Sequence, residues 1–217
     1  MHNSINNLTT IEEQIKTRFN QSTNSKIIAV SKTFHMTQIK PLINHGHIHF
    51  GENKVQESLE KWTDVKSSLQ NLKLHMIGKL QTNKVKYVIP LFDYIHSLDN
   101  LKLAKKISEE QKKRNKYLKI FIQVNIGNEQ QKSGIDLKDL KEFHKICTSE
   151  LKLDVIGLMC IPPQVDNVKK HFTQMSDLKN SLNLKELSMG MSSDYIEAIE
   201  HGATFVRIGS KIFGNRT

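Results

Sequence analysis

A chain of 217 residues that is 37% hydrophobic and 25% charged can bury one large core, which excludes a compositionally disordered protein. No apolar run approaches the ~20 residues of a membrane-spanning helix, and two cysteines without a CxxC pair exclude a disulfide framework. The net charge of +10 admits an anionic ligand or a nucleic acid, but the excess is lysine spread along the chain. Arginine occurs only at Arg18, Arg114, Arg207 and Arg216 and aromatics make up 6%, so no nucleic-acid partner is expected. The opening "MHNSINNLTT" lacks the basic-then-apolar order of a signal peptide, and a single-domain, cytoplasmic monomer is expected.

A helix is expected over 8–20, followed by a first strand, "KIIAVSK" (26–32), whose apolar run closes abruptly on Lys32. A helix over 37–44 leads to the second strand, "HIHFGE" (47–52). His45, His47 and His49 sit here at a spacing that could hold a metal, but no cysteine or carboxylate companion completes a site, so a rim or turn role is expected. A helix over 53–66, packed through Trp62, precedes the strand "KLHMIG" (73–78). His75 in that strand reads as a hydrogen-bonded structural residue rather than a catalytic one.

The alternation continues with a helix over 79–88, the strand "YIHSL" (94–98), a helix over 99–115 and the strand "KIFIQVNI" (119–126). A helix over 136–149 and the strand "DVIGLMCI" (154–161) follow, with Pro162-Pro163 stopping the strand. Cys147 and Cys160 read as buried apolar residues, and the basic stretches "KVKYV" (84–88) and "KKRNK" (112–116) as solvated helix surface. A helix over 165–182, the strand "ELSMGM" (186–191), a helix over 193–201, the strand "TFVRIG" (204–209) and a short closing helix complete the chain. Eight strands alternating with helices predict a parallel (β/α)₈ TIM barrel. A doubly wound open sheet is the alternative, but "VSKTFH" after the first strand lacks its glycine fingerprint.

In a barrel the functional face lies at the C-terminal ends of the strands, where phosphate sites are commonly built by the loops after strands 7 and 8. "GMSSD" (190–194) supplies Gly190, Ser192 and Ser193, and "IGSKIFG" (208–214) supplies Gly209 and Ser210. Ser192, Ser193 and Asp194 could equally serve as an ordinary helix cap. Ile28, Val30 and Lys32 share one side of strand 1; Phe205, Arg207 and Gly209 share one side of strand 8. Closure makes these strands neighbours, so Lys32 and Arg207 are expected to meet at one mouth. An amine near a cation and partly desolvated has a lowered pKa and can form a Schiff base. Lys32 read alone could also snorkel out of the rim. Phosphate, imine-forming amine and second cation together match pyridoxal 5′-phosphate (PLP), with Arg207 facing the ring nitrogen and weakening the electron sink that a carboxylate would support.

"AVSKT" (29–33), "FGEN" (50–53), "IGKLQTNK" (77–84), "KSG" (132–134), "GLM" (157–159), "LSMGMSSD" (187–194) and "VRIGSKIFG" (206–214) resemble the pyridoxal phosphate homeostasis protein family. The resemblance implies a barrel like the N-terminal domain of alanine racemase, with Lys32 as the Schiff-base lysine and Arg207 at the pyridine nitrogen. It implies phosphate contacts from Ser192, Gly209 and Ser210, and Asn53 and Met189 lining the same pocket. It further implies buffering and delivery of PLP to PLP-dependent apoenzymes rather than robust catalysis, because the racemase's second domain with its tyrosine base has no counterpart in these residues. A PLP-dependent amino-acid racemase or lyase is the competing expectation.

Overall fold

The computed structural model describes residues 2–20, 23–129, 133–163 and 167–214. Strands β1 (Lys26–Val30), β2 (His49–Glu52), β3 (Lys73–Met76), β4 (Tyr94–Leu98), β5 (Lys119–Val124), β6 (Asp154–Cys160), β7 (Glu186–Ser188) and β8 (Phe205–Ile208) form one closed parallel barrel. Closure comes from β8 pairing with β1, with Ile28 opposite Arg207. The expected TIM barrel is therefore the observed fold, in consecutive strand order. "KSG" loses its first residue, Lys132, from the described residues, and the start of the helix expected over 165–182 also lies outside them.

The helices are α1 (Asn3–Arg18), α2 (Met36–Asn44), α3 (Val55–Ser68), α4 (Val85–Leu91), α5 (Leu101–Arg114), α6 (Leu140–Lys145), α7 (Val168–Ser181), α8 (Tyr195–Glu200) and α9 (Ser210–Phe213). Helix α1 starts five residues before the expected position, because the His2 side chain accepts the Ser4 N–H and caps it there. Helix α5 is held at both ends by asparagine: Asn100 accepts the Leu103 N–H, and Asn115 takes the left-handed conformation (φ 48°) that closes the last turn. The helix expected over 136–149 begins only at Leu140 and widens into a π-helical stretch at Ile146–Glu150.

Alternation along each strand separates two packing regions. Outward residues such as Phe50, Leu74, Ile95, Ile120, Leu158 and Leu187 meet the helices in a continuous apolar shell that includes Trp62, Phe92 and Phe172. Burying each such side chain stabilises the fold by roughly 1.5–3 kcal/mol relative to exposure. Inside the barrel the apolar set is small: Ile28, Phe121, Met159 and Phe205. Tyr94 and Ile156 pack against this set, and buried polar side chains (His75, His96, Ser188 and Arg207) share the interior with it, which is what distinguishes the two faces of the sheet.

Candidate cofactor site at the C-terminal mouth

Lys32 follows the end of β1 in a tight turn, where the Phe34 N–H donates to the Ser31 carbonyl at 3.2 Å. Within that turn Thr33 has φ 69°, a left-handed conformation unfavourable for a β-branched residue. Glu57 compensates by accepting the Thr33 N–H at 2.5 Å. Lys61 of α3 then clamps the turn from below, donating to the Ser31 carbonyl at 2.8 Å and the Phe34 carbonyl at 3.3 Å. Its ammonium also pairs with Glu57 and Glu52, both at 2.8 Å.

Glu52 is fully buried at the end of β2, and its Oε1 also accepts from Ser31 Oγ at 2.8 Å and from Trp62 Nε1 at 2.9 Å. A buried carboxylate is tolerated only with such partners, each charge-assisted bond contributing about 1.5–3 kcal/mol. The strain at Thr33 is thus held by an ionic bracket reaching from β2 and α3, and the bracket fixes where Lys32 projects.

Arg207 is buried on β8, and among the described residues it donates to neutral oxygens: Nη1 to the Ser188 carbonyl at 2.6 Å and Ser188 Oγ at 2.8 Å, Nη2 to the Cys160 carbonyl at 2.8 Å. Burial moves its pKa below the ordinary guanidinium range, but no carboxylate among the described residues forms an ion pair with it. The wall therefore carries a positive charge that Asp194 eases from a distance but that no ion pair among the described residues cancels. The neighbouring Cys160 thiol is pushed up to about 12 by burial, so it is no nucleophile.

The loops after β7 and β8 converge beside Arg207. Gly190 has φ 87°, and a Cβ there would lie 2.5 Å from that of Ala198, so glycine is required for the loop to pass α8. Asp194 accepts the Met191 N–H at 2.6 Å, and the Lys211 N–H at the start of α9 reaches Ser192 Oγ at 3.5 Å. Ser192 and Ser193 from one loop and Gly209 and Ser210 from the other thus line one space, an arrangement suited to a phosphate.

That space is a cavity of about 560 Å³ whose wall includes Lys32, Asn53, Ser192, Arg207, Gly209 and Ser210. Asn53 Oδ1 is buried without a hydrogen-bond partner among the described residues, a polar atom in want of a ligand. An adjoining cavity of about 340 Å³ shares Asn53, Ile77 and Ile161 and adds Lys79, Gln123 and Asn125. Met189, in contrast, is not on the cavity wall. It follows Ser188 on the opposite side of the chain and packs into the outer shell, while Met191 lines the cavity two residues on. Sequence reasoning passed over Ser188 and His96. Alternation sets Ser188 opposite the outward-facing Leu187 and His96 on the same face as Tyr94, but only the closed barrel shows that face to be the interior and brings the two residues together.

An amine, a phosphate cradle, an uncancelled guanidinium and an orphaned amide oxygen fit PLP in chemistry and in volume. The pattern described as "Alanine racemase, N-terminal domain" matches residues 6–217. The pyridoxal phosphate homeostasis protein of Aquifex aeolicus is 40% identical over 201 residues, covering 88% of this chain and 87% of its own. The chain belongs to the pyridoxal phosphate homeostasis protein family. The Haemophilus influenzae member is 36% identical over 224 residues, covering 97% of this chain and 94% of its own. PipY of Synechococcus elongatus, solved with PLP bound, superposes with a TM-score of 0.80 at 32% identity, covering 92% of this chain and all of PipY.

Proposed function

We propose that this protein holds PLP at the C-terminal mouth of its barrel and serves PLP homeostasis as a carrier. The observation that carries the reading is one cavity wall bearing Lys32, Arg207 and the Ser192–Ser210 cradle together. PLP supplies an aldehyde that condenses reversibly with a primary amine. Lys32 is the amine, and the bracket of Glu52, Lys61 and Glu57 orients it. Ser192, Ser210 and the N–H groups of their loops bind the phosphate, while Arg207 keeps the ring nitrogen unprotonated. Asn53 completes the wall beside Lys32.

The titratable groups on that wall support carriage over turnover. Among its described residues Lys32 and Arg207 are the charged ones, and a racemase needs a second proton donor on the opposite face. PLP-dependent apoenzymes of the cytoplasm are the recipients in this reading. Borohydride treatment followed by peptide mapping tests it: a pyridoxyl group on Lys32, absent from Lys32→Ala, is expected. Equal labelling of the variant at another lysine would overturn the assignment. Lys32-dependent exchange of an amino acid's α-hydrogen with solvent deuterium would show turnover and displace carriage.

A further inference from the structure

A line of polar side chains runs through the barrel interior, away from the mouth that holds Lys32. Ser188 Oγ lies 2.8 Å from His96 Nδ1, His96 Nε2 lies 2.9 Å from His75 Nδ1, and His75 Nε2 lies 2.9 Å from His49 Nδ1. Ser188, His75 and His96 have no solvent exposure, so each of their protons must find an acceptor within the chain.

The direction of the line follows from Arg207, because a guanidinium can only donate. It donates to Ser188 Oγ. The proton of that buried hydroxyl then goes to His96 Nδ1, the remaining partner in reach. His96 must therefore carry its proton on Nε2 and donate to His75 Nδ1, and His75 in turn donates from Nε2 to His49 Nδ1. All three rings are neutral in this scheme, and burial agrees: it holds His75 and His96 well below the ordinary imidazole range and His49 at about 4. Four bonds point the same way and end on the Nε2–H of His49, which no described residue accepts.

His49, which carries that terminal donor, lines a cavity of about 490 Å³ at the N-terminal mouth, together with Lys26, Lys16 and His47. Lys26 lies over the Phe205 ring at 4.7 Å, and Phe205 itself touches the rings of His49, His75 and His96. Of the carboxylates nearby, Glu12 lines the cavity without an ion pair to Lys16 or Lys26 among the described residues, and Asp93 is taken by Lys66 at 2.8 Å. Lys73 adds a further positive charge acting on His49. The His49 donor and Lys16, Lys26 and Lys73, which form no ion pair among the described residues, stand around a space that suits an acceptor.

We propose that this N-terminal cavity is a second binding site, for a small oxyanion (phosphate or a carboxylate), and that its occupancy is felt at Arg207 through the oriented histidine chain. An acceptor on His49 Nε2–H makes Nδ1 a better acceptor, and each successive bond strengthens the next. At the far end Ser188 Oγ draws the Arg207 Nη1–H more tightly, reducing the charge presented to the cofactor ring. The coupling half of the proposal rests on the PLP reading above; the binding half does not.

Nitrogen-15 NMR of the histidine side chains tests both, with inorganic phosphate as probe and holoprotein as sample so that the PLP cradle is filled. His49, His75 and His96 are expected as neutral Nε2–H tautomers, and phosphate is expected to shift His49 most and the other two progressively less. Lys26→Ser, at an exposed position, should weaken phosphate binding about tenfold by loss of one charge-assisted contact. His49→Phe keeps a ring against Phe205 but breaks the chain, so phosphate should no longer move the absorption of bound PLP. An Nδ1–H tautomer at His75 or His96, or phosphate leaving the His49 resonances unmoved, overturns the site. A shift at His49 with no change in the absorption of bound PLP overturns the coupling alone. Protein that retains no PLP at all counts against the cofactor reading, while the His49 response, measured then in the PLP-free protein, still decides the site.

Discussion

The outer shell and the barrel interior are built from the two faces of the same eight strands, yet they follow opposite rules. The shell is apolar and redundant: Phe92, Phe172 and Trp62 lie fully buried among neighbours that supply the same kind of contact. The interior holds four fully buried apolar side chains, with Tyr94 and Ile156 against them, and a chain of bonded polar groups in which Ser188, His96 and His75 each join two specific partners. Hydrophobic burial is non-directional and tolerates exchange, whereas a buried hydrogen bond left unmade costs the desolvation of its partner. Stability should therefore reside in the shell and site geometry in the interior and its rims.

The largest effect expected from separating the two is Phe172→Ala. Deleting a fully buried aromatic costs about 3–5 kcal/mol, read as a lowered urea midpoint, while borohydride-fixed PLP per folded molecule stays unchanged. A proportional loss of labelling would show that shell and site are not separable. Glu52→Gln should come next and act on both. Lys61 loses one of its two carboxylates and Trp62 and Ser31 lose a charged acceptor. Breaking a buried pair in this way costs about 3 kcal/mol, and a loosened Thr33 turn should slow capture of PLP by Lys32. Unchanged capture with lowered stability would remove the bracket from the site and leave it a fold element.

Acid should distinguish the regions next. Burial lowers His47 and His49 from 6.5 to about 4, and His75 and His96 further still. Between those values the unfolded chain binds protons that the folded one refuses, so stability falls as pH drops below about 6.5 and keeps falling towards 4. Above 6.5 these groups contribute no slope. Urea unfolding from pH 7.5 to 4.5 should show the decline, and His49→Phe should flatten part of it. A midpoint independent of pH would mean the interior rings take up protons without resisting them.

These contrasts also explain what could be read from the residues alone. The eight elements and the shell were legible because period-2 apolar runs and amphipathic helices repeat the same statement many times. Lys32 and Arg207 were legible because a charge closing or interrupting an apolar strand is conspicuous once β1 and β8 are made neighbours. His96 in "YIHSL" was not, because one imidazole in an apolar strand reads the same whether it faces a helix or a relay. Only closure of the ring brings His96, on β4, to Ser188, on β7, 92 positions away. Local boundaries failed where side-chain caps set them, as at His2 before α1.

Met189 supplies the smallest and most discriminating test. Family resemblance sets it in the pocket, but its side chain is fully buried in the shell, and what it offers towards the barrel is an N–H donated to the Phe205 carbonyl at 3.1 Å. A backbone contact does not depend on which apolar side chain the residue carries. Met189→Leu, which nearly conserves volume, should therefore change stability by less than about 1.5 kcal/mol and leave PLP labelling of Lys32 as it was. Met191→Ala removes a side chain that does line the cavity and should weaken PLP retention while scarcely altering the urea midpoint. If the two substitutions exchanged these effects, the strand-7 loop would be shown to take its position from the shell, and the division between the two faces would end at Ser188.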